Sequence, residues 1–145
     1  MEKMVASKIS IPNSAFWKNK NVLLTGHSGF KGSWTSIILN SFGSNVCGIS
    51  LKPNTKPNLF DLCKIESKLE NNFCDIRNYD ETSKIIKNFQ PEIVIHMAAQ
   101  PLVIDSYKKP IETFTTNVLG TANVLNSCIG LDDLRCFISV TTDKV

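Results

Sequence analysis

Three glycines single out one stretch of this chain. In Thr25-Gly26-His27-Ser28-Gly29-Phe30-Lys31-Gly32 they recur as G-x-x-G-x-x-G, directly after a short apolar run. Glycines so placed allow a tight turn, let backbone N–H groups approach a pyrophosphate, and let the next helix lie close to its sheet. The helix N-terminus adds unpaired donors and the positive end of a dipole. Gly26 and Gly29 are therefore candidates to hold a phosphorylated ligand, although the spacing differs from G-x-G-x-x-G and a chance cluster is the plain alternative. An acidic residue about 20 positions further on usually binds an adenosine ribose, and Ile49-Ser50-Leu51-Lys52 has none. Lys52 could face a 2′-phosphate instead, or be an ordinary solvated lysine.

Other residues have chemistry in their favour and a structural reading beside it. Asp75 can accept from an amino group such as that of adenine, or can form a turn before Ile76-Arg77-Asn78. Met97-Ala98-Ala99-Gln100-Pro101 is small enough for a flat ring to lie against its backbone, or simply packs. His96 reads as a core histidine with its nitrogens satisfied. Asn117 lies within a helical pattern that disfavours Asn, so its side chain is expected to bond a neighbouring strand or a catalytic water, the former reading being slightly preferred. Ser139-Val140-Thr141-Thr142-Asp143-Lys144 ends an apolar run with hydroxyl, carboxylate and ammonium groups together. Strand ends of this kind are where open α/β sheets bind ligands.

The elements that must carry these groups follow from periodicity. Short apolar runs alternate with amphipathic stretches from residue 21 onward, the pattern of βαβ units around a parallel sheet. Strands are expected at 22–25, 46–51, 69–74, 93–99 and 136–141. One helix should follow the glycine turn with Phe30, Trp34, Ile37, Ile38 and Phe42 on its inner face and Gly43 as its stop. A short helix is expected at 59–65, a longer one at 78–89, and another from Pro110, burying Ile111, Phe114, Val118, Ala122, Leu125 and Cys128. The fold class is α/β, a Rossmann-type doubly wound parallel sheet of about five strands. Residues 1–15 form an arm and 16–145 a dinucleotide-binding domain.

Composition narrows the partners. With 145 residues and 42% hydrophobic content the chain matches one globular domain. Its net charge of +3 is spread without a basic block, so no nucleic-acid surface is expected. Five cysteines without a C-x-x-C spacing suggest neither disulfides nor a metal site. No run reaches roughly 18 apolar residues and residues 1–14 do not read as a signal peptide, so the expectation is a cytoplasmic protein without a membrane partner.

Together, "FWKNKNVLLTGHSGFKGSW", "PEIVIHMAAQPLV", "PIETFTTNVLGT" and "VTTDK" resemble the extended short-chain dehydrogenase/reductase family over about residues 16–145, and within it the branch that dehydrates sugar nucleotides. Lys31 stands where the wider family usually carries a branched aliphatic residue. The resemblance implies that Gly26, Gly29 and Phe30, with Lys31 in the same loop, surround a dinucleotide. It implies that Asp75 and Ile76 flank adenine, that Ala98, Ala99 and Gln100 line the nicotinamide side, and that Asn117 braces the site. Thr142 would bond the sugar's 4-hydroxyl, and Asp143 would protonate the departing 6-hydroxyl. Lys144 would replace a glutamate of the dTDP-glucose relatives. The implied cofactor is NAD rather than NADP, the implied substrate CDP-glucose, and the implied assembly a homodimer through helices including that of Asn117. The implied reaction is redox-neutral: hydride leaves C4, water is lost across C5 and C6, and the hydride returns to C6. An epimerase or reductase on another sugar nucleotide, or a dinucleotide-binding piece without catalysis, are the alternatives. The family's Tyr-x-x-x-Lys is not among these residues, since neither Tyr79 nor Tyr107 has a lysine four positions on, so residues 1–145 are expected not to turn over unaided. The substrate domain is likewise expected to be absent from them.

Overall fold

A computed structural model describes residues 13–141. Five parallel strands form one sheet in the order β3-β2-β1-β4-β5, with β1 at Asn21–Thr25, β2 at Asn45–Ser50, β3 at Glu70–Phe73, β4 at Ile93–His96 and β5 at Cys136–Ser139. Chain order reverses between β1 and β4, which pair in register from Val22 opposite Ile93 to Thr25 opposite His96. A crevice therefore opens beyond the carboxyl ends of these two strands. This is the Rossmann-type architecture expected from the alternating pattern.

The strands alternate their side chains between two cores. One holds Val22, Leu24, Val46 and Ile93 against Leu39 of helix α2 (Phe30–Ser41). The other holds Leu23, Cys47, Ile49 and Val94 against Ile86 of α4 (Tyr79–Phe89) and Val124 of α7 (Thr121–Ser127). Helices on both faces of a parallel sheet explain why β1, β2 and β4 read as nearly unbroken apolar runs. The turn α1 (Ser14–Trp17) precedes the sheet, and α3 (Leu59–Leu62) and a 3₁₀ turn (Ile65–Lys68) fill most of the connection between β2 and β3. Asn78 caps α4 by accepting from the Glu81 N–H at 3.3 Å.

Two expected helix faces are corrected. In α2 the buried residues are Gly32, Ser33, Ser36 and Leu39, whereas Phe30, Trp34 and Ile38 are exposed. The first turns of the helix lie against the backbone of the glycine loop, where Gly32 has no room for a Cβ, and Leu39 is the large apolar residue it buries. The helix from Pro110 is longer and compound, running as α6 (Pro110–Phe114), a π-helical turn (Thr115–Gly120) and α7. It buries Gly120, Val124, Ser127 and Cys128 while Ile111, Phe114, Val118 and Leu125 face outward. A π turn rotates the following residues relative to an α-helical frame, so a strict 3.6-residue pattern cannot track its inner face. An unexpected helix, α5 (Val103–Lys108), follows β4. β4 itself ends at His96, three residues before the expected end, because the chain turns there to meet the glycine loop.

Candidate dinucleotide-binding site

The glycine loop follows β1 and bends back on itself. Gly26 has φ of +75°, in the left-handed region, and a Cβ there would lie 2.9 Å from the Ala98 nitrogen. The loop and the end of β4 are thus in backbone contact. Gly32 has a second constraint: a Cβ would strike the Gly26 carbonyl and lie 2.7 Å from His27 Cα. Gly29 differs from both. It is exposed, its φ is −72°, and an added Cβ would meet nothing nearer than the Gly26 oxygen at 3.4 Å. Gly29 is also the N-cap of α2, where no side chain caps the helix. The first N–H groups of α2 therefore face the crevice with no side chain over them, the arrangement that suits an anion.

Thr25, buried at the end of β1, ties this loop to β4. Its hydroxyl oxygen accepts from Met97 N–H and Ala98 N–H, each at 3.0 Å, and lies 2.7 Å from His96 Nδ1. With both lone pairs engaged, the hydroxyl donates its proton to Nδ1. That leaves the His96 proton on Nε2, which donates to Thr121 Oγ1 at 2.9 Å, and Thr121 in turn donates to the Asn117 carbonyl at 2.7 Å. Burial lowers the His96 pKa, in keeping with a neutral ring. His96 is the satisfied core histidine that its position suggested.

Asn117 lies in the π-helical turn and grips Gln100 twice. Its Oδ1 accepts from the Gln100 N–H at 2.7 Å and its Nδ2 donates to the Gln100 carbonyl at 3.1 Å. The side chain therefore bonds backbone beyond β4. The Gln100 side chain is used locally, donating to Thr113 Oγ1 at 2.9 Å and accepting from Leu102 N–H at 2.6 Å.

Asp75 forms the turn after β3 and is also paired. Its Oδ1 accepts from Arg77 N–H at 2.9 Å, and the Arg77 guanidinium donates to both carboxylate oxygens, with Nη2 to Oδ2 at 2.6 Å. Hydrogen bonding from Arg77 holds the Asp75 carboxyl below its usual range. The Ile76 side chain is buried in the core against Gly120, where a Cβ would come within 2.6 Å of Ile76 Cδ1. Phe30 and Lys31 are exposed at the start of α2, and Ala98 and Ala99 follow β4 at the same end of the sheet. Thr142, Asp143 and Lys144 lie outside the described residues.

A family model described as GDP-mannose 4,6 dehydratase matches residues 23–145. The chain belongs to that family. It is thereby an extended short-chain dehydrogenase/reductase, as the motifs suggested. The CDP-glucose 4,6-dehydratase of Salmonella typhimurium is 43% identical over 129 residues, which cover 89% of this chain and 36% of that protein. A UDP-glucose 4-epimerase of Klebsiella pneumoniae is 32% identical over 73% of this chain and 78% of its own length. Among solved structures, the UDP-glucose 4-epimerase of Thermotoga maritima with UDP-glucose has a TM-score of 0.72 at 26% identity, covering 83% of this chain and 37% of that one. The epimerase of Stenotrophomonas maltophila, with bound NAD and formylated UDP-arabinopyranose, shares the fold with a TM-score of 0.75 at 22% identity over 88% of this chain and 38% of that one. The chain spans a little over a third of the Salmonella relative.

Sequence reasoning passed over several residues that organise the site of this GDP-mannose 4,6 dehydratase family member. Thr25, Thr121 and Arg77 carried no signal beyond their polarity in apolar or turn contexts. Asn123 donates to the carbonyls of Ile76 and Arg77 at 3.0 and 3.1 Å, so one helix supports the turn after β3 as well as the end of β4. His27 is buried within the glycine motif, with Nε2 on Asn71 Oδ1 at 2.6 Å and its ring against Gly48, Phe60 and Phe73. Lys52 lies 5.5 Å above the Phe73 ring. Among the described residues no His, Cys, Asp and Glu group is arranged to hold a metal, and no helix is long and apolar enough to cross a membrane.

Proposed function

We propose that the chain is the dinucleotide-binding portion of a sugar-nucleotide 4,6-dehydratase that converts CDP-glucose to CDP-4-keto-6-deoxyglucose with NAD. The observation that carries this reading is the 43% identity to CDP-glucose 4,6-dehydratase across 89% of the chain. The site fits the cofactor on its own terms. Gly29 leaves an open surface beside an uncapped helix N-terminus, suited to a pyrophosphate. Asp75 and the Ile76 backbone would take the adenine side, with Phe30 and Lys31 bordering the loop. Ala98, Ala99 and Gln100 would take the nicotinamide side, with Asn117 holding the Gln100 backbone in place.

Bound there, the nicotinamide supplies a reversible two-electron acceptor for C4 of the sugar. The chain's own contribution is positional and acid–base. Thr142 would hold the 4-hydroxyl, and Asp143 would deliver a proton to the 6-hydroxyl as it leaves. Oxidation at C4 acidifies the C5 proton, so general-acid help at C6 lowers the remaining barrier to elimination. Lys144 would mark CDP-glucose rather than dTDP-glucose as substrate. The remaining active-site groups and the substrate domain would belong to a longer polypeptide, working as a homodimer in the cytoplasm.

The test is to assay the protein carrying this chain with CDP-glucose, UDP-glucose and dTDP-glucose in the presence of NAD or NADP. CDP-glucose with NAD should yield the 4-keto-6-deoxy product fastest. Inversion at C4 without loss of water would establish an epimerase instead. Asp143→Asn should slow water loss more than C4 oxidation, so reduced nicotinamide should accumulate; full turnover without it would remove Asp143 from the acid role.

A further inference from the structure

The exit of β4, from Met97 to Gln100, is held from two sides. On one side the Thr25 hydroxyl accepts from Met97 N–H and Ala98 N–H, and a Cβ on Gly26 would lie 2.9 Å from the Ala98 nitrogen. On the other, Asn117 holds both backbone groups of Gln100. The His96 ring joins these two anchors, with Nδ1 2.7 Å from Thr25 Oγ1 and Nε2 2.9 Å from Thr121 Oγ1, whose proton goes to the Asn117 carbonyl. These bonds and the β4 exit form one closed circuit, and a single protonation state satisfies it. A proton on Nδ1 would set three donors against the two lone pairs of the Thr25 oxygen. Met97 N–H would keep the Thr25 carbonyl at 3.2 Å, whereas Ala98 N–H has the hydroxyl alone among the described residues. The group left without a partner is therefore the amide that abuts Gly26.

We propose that His96 is a positioning residue for the dinucleotide: as a neutral ring with its proton on Nε2 it keeps the Ala98 backbone seated against Gly26, so the crevice binds the cofactor in that state and releases it when the ring takes a second proton. This deepens the proposed dinucleotide reading and rests on it. The surroundings of the ring isolate its titration. From β1 it meets Thr25, from α7 Thr121, and from β5 Phe137 at 6.2 Å between ring centroids, and none of these carries a charge. Burial alone lowers the ring's pKa, with no carboxylate among the described residues to steady an imidazolium. His27, the other histidine, packs over Gly48 of β2 with Nε2 on Asn71 Oδ1 and takes no part in the circuit.

The experiment measures NAD affinity by calorimetry on the protein carrying this chain, from about pH 7.5 down through the ring pKa that NMR reports for His96, with circular dichroism confirming the fold at each step. Below that pKa the wild-type Kd should rise toward about tenfold per pH unit, the limit for uptake of one proton. Asparagine places an amide oxygen near the Nδ1 position and stops short of Thr121. His96→Asn should therefore bind NAD within about twofold of wild type at about pH 7.5 and lose the pH dependence. Glutamine reaches Thr121 and leaves the Thr25 hydroxyl free to rotate away from Ala98, so His96→Gln should bind about fivefold more weakly, the scale of one neutral hydrogen bond. NMR of the wild type adds a test that needs no variant: by reciprocity the ring pKa should fall further when NAD is bound. A wild-type affinity level through the ring pKa, a fall as steep in His96→Asn as in wild type, equal losses in the two variants, or a ring pKa unmoved by NAD would each overturn the role of His96 and leave the dinucleotide site standing. Failure to bind NAD at any pH would overturn that site, and His96's role with it.

Discussion

An alanine at position 32 would press its methyl group against the Gly26 carbonyl oxygen, 2.7 Å from His27 Cα and 2.8 Å from the Gly26 carbonyl carbon. All three neighbours are backbone, so no side chain can rotate away and either α2 or the loop must shift. Overpacking of this kind costs about 3 kcal/mol at the upper end of its usual range. Alanine gains about 1 kcal/mol over glycine in helix propensity. The net loss is about 2 kcal/mol, or about 8 °C in melting temperature for a chain of this length. Gly29→Val makes the informative contrast. At φ −72° and ψ 169°, its Cβ has only the Gly26 oxygen nearby, at 3.4 Å, so the added Cβ is accommodated and the change loses only about 1 kcal/mol of capping preference. The Gly32→Ala protein should therefore melt well below wild type, while Gly29→Val should melt within about 4 °C of it and yet fail to bind NAD, its isopropyl group occupying the pyrophosphate's approach. Thermal denaturation with calorimetric titration separates the two. A Gly32→Ala protein as stable as wild type would refute the close packing of α2 on the loop, and undiminished NAD affinity in Gly29→Val would refute the proposed pyrophosphate position.

Three further outcomes are expected. Thr25→Val keeps the side-chain shape but leaves Ala98 N–H and His96 Nδ1 without their partner, and Met97 N–H with only the Thr25 carbonyl at 3.2 Å, and should cost about 2 kcal/mol in urea denaturation, with Thr25→Ser recovering most of it. Asn117→Ala releases both backbone groups of Gln100 and should cost about 2 kcal/mol and speed hydrogen exchange at the Gln100 amide; unchanged exchange there would argue against the bidentate grip. Burial lowers the pKa of both His27 and His96 below the ordinary 6.5, so the unfolded chain binds protons before the folded one. Their contribution to stability is complete above that value and is lost as pH falls through the folded pKa values, at a slope approaching about 1.4 kcal/mol per pH unit for each histidine. A urea midpoint that stays level from about pH 7.5 to about pH 5 would contradict neutral, buried rings.

Much of the architecture was legible in the order of residues because strands and turns are local. Apolar runs of four to six residues, glycine after β1, Asn78 before α4 and Pro110 at the first turn of α6 each act through their own backbone or near neighbours. The glycine motif was readable for the same reason, since its three positions lie in one turn. Hydrophobic periodicity misjudged the inner faces of α2 and of the helix from Pro110, because it detects which side chains are apolar and not how near a helix lies to its sheet. Close approach put Gly32, Ser33 and Ser36 inside and left Trp34 and Ile38 outside. The chain Thr25–His96–Thr121 joins residues 71 and 25 positions apart, and Asn117 reaches Gln100 across 17. Those partners meet only when the parallel sheet sets the ends of β1 and β4 side by side and lays a helix across them, so the tertiary structure alone decided which polar groups hold the site together.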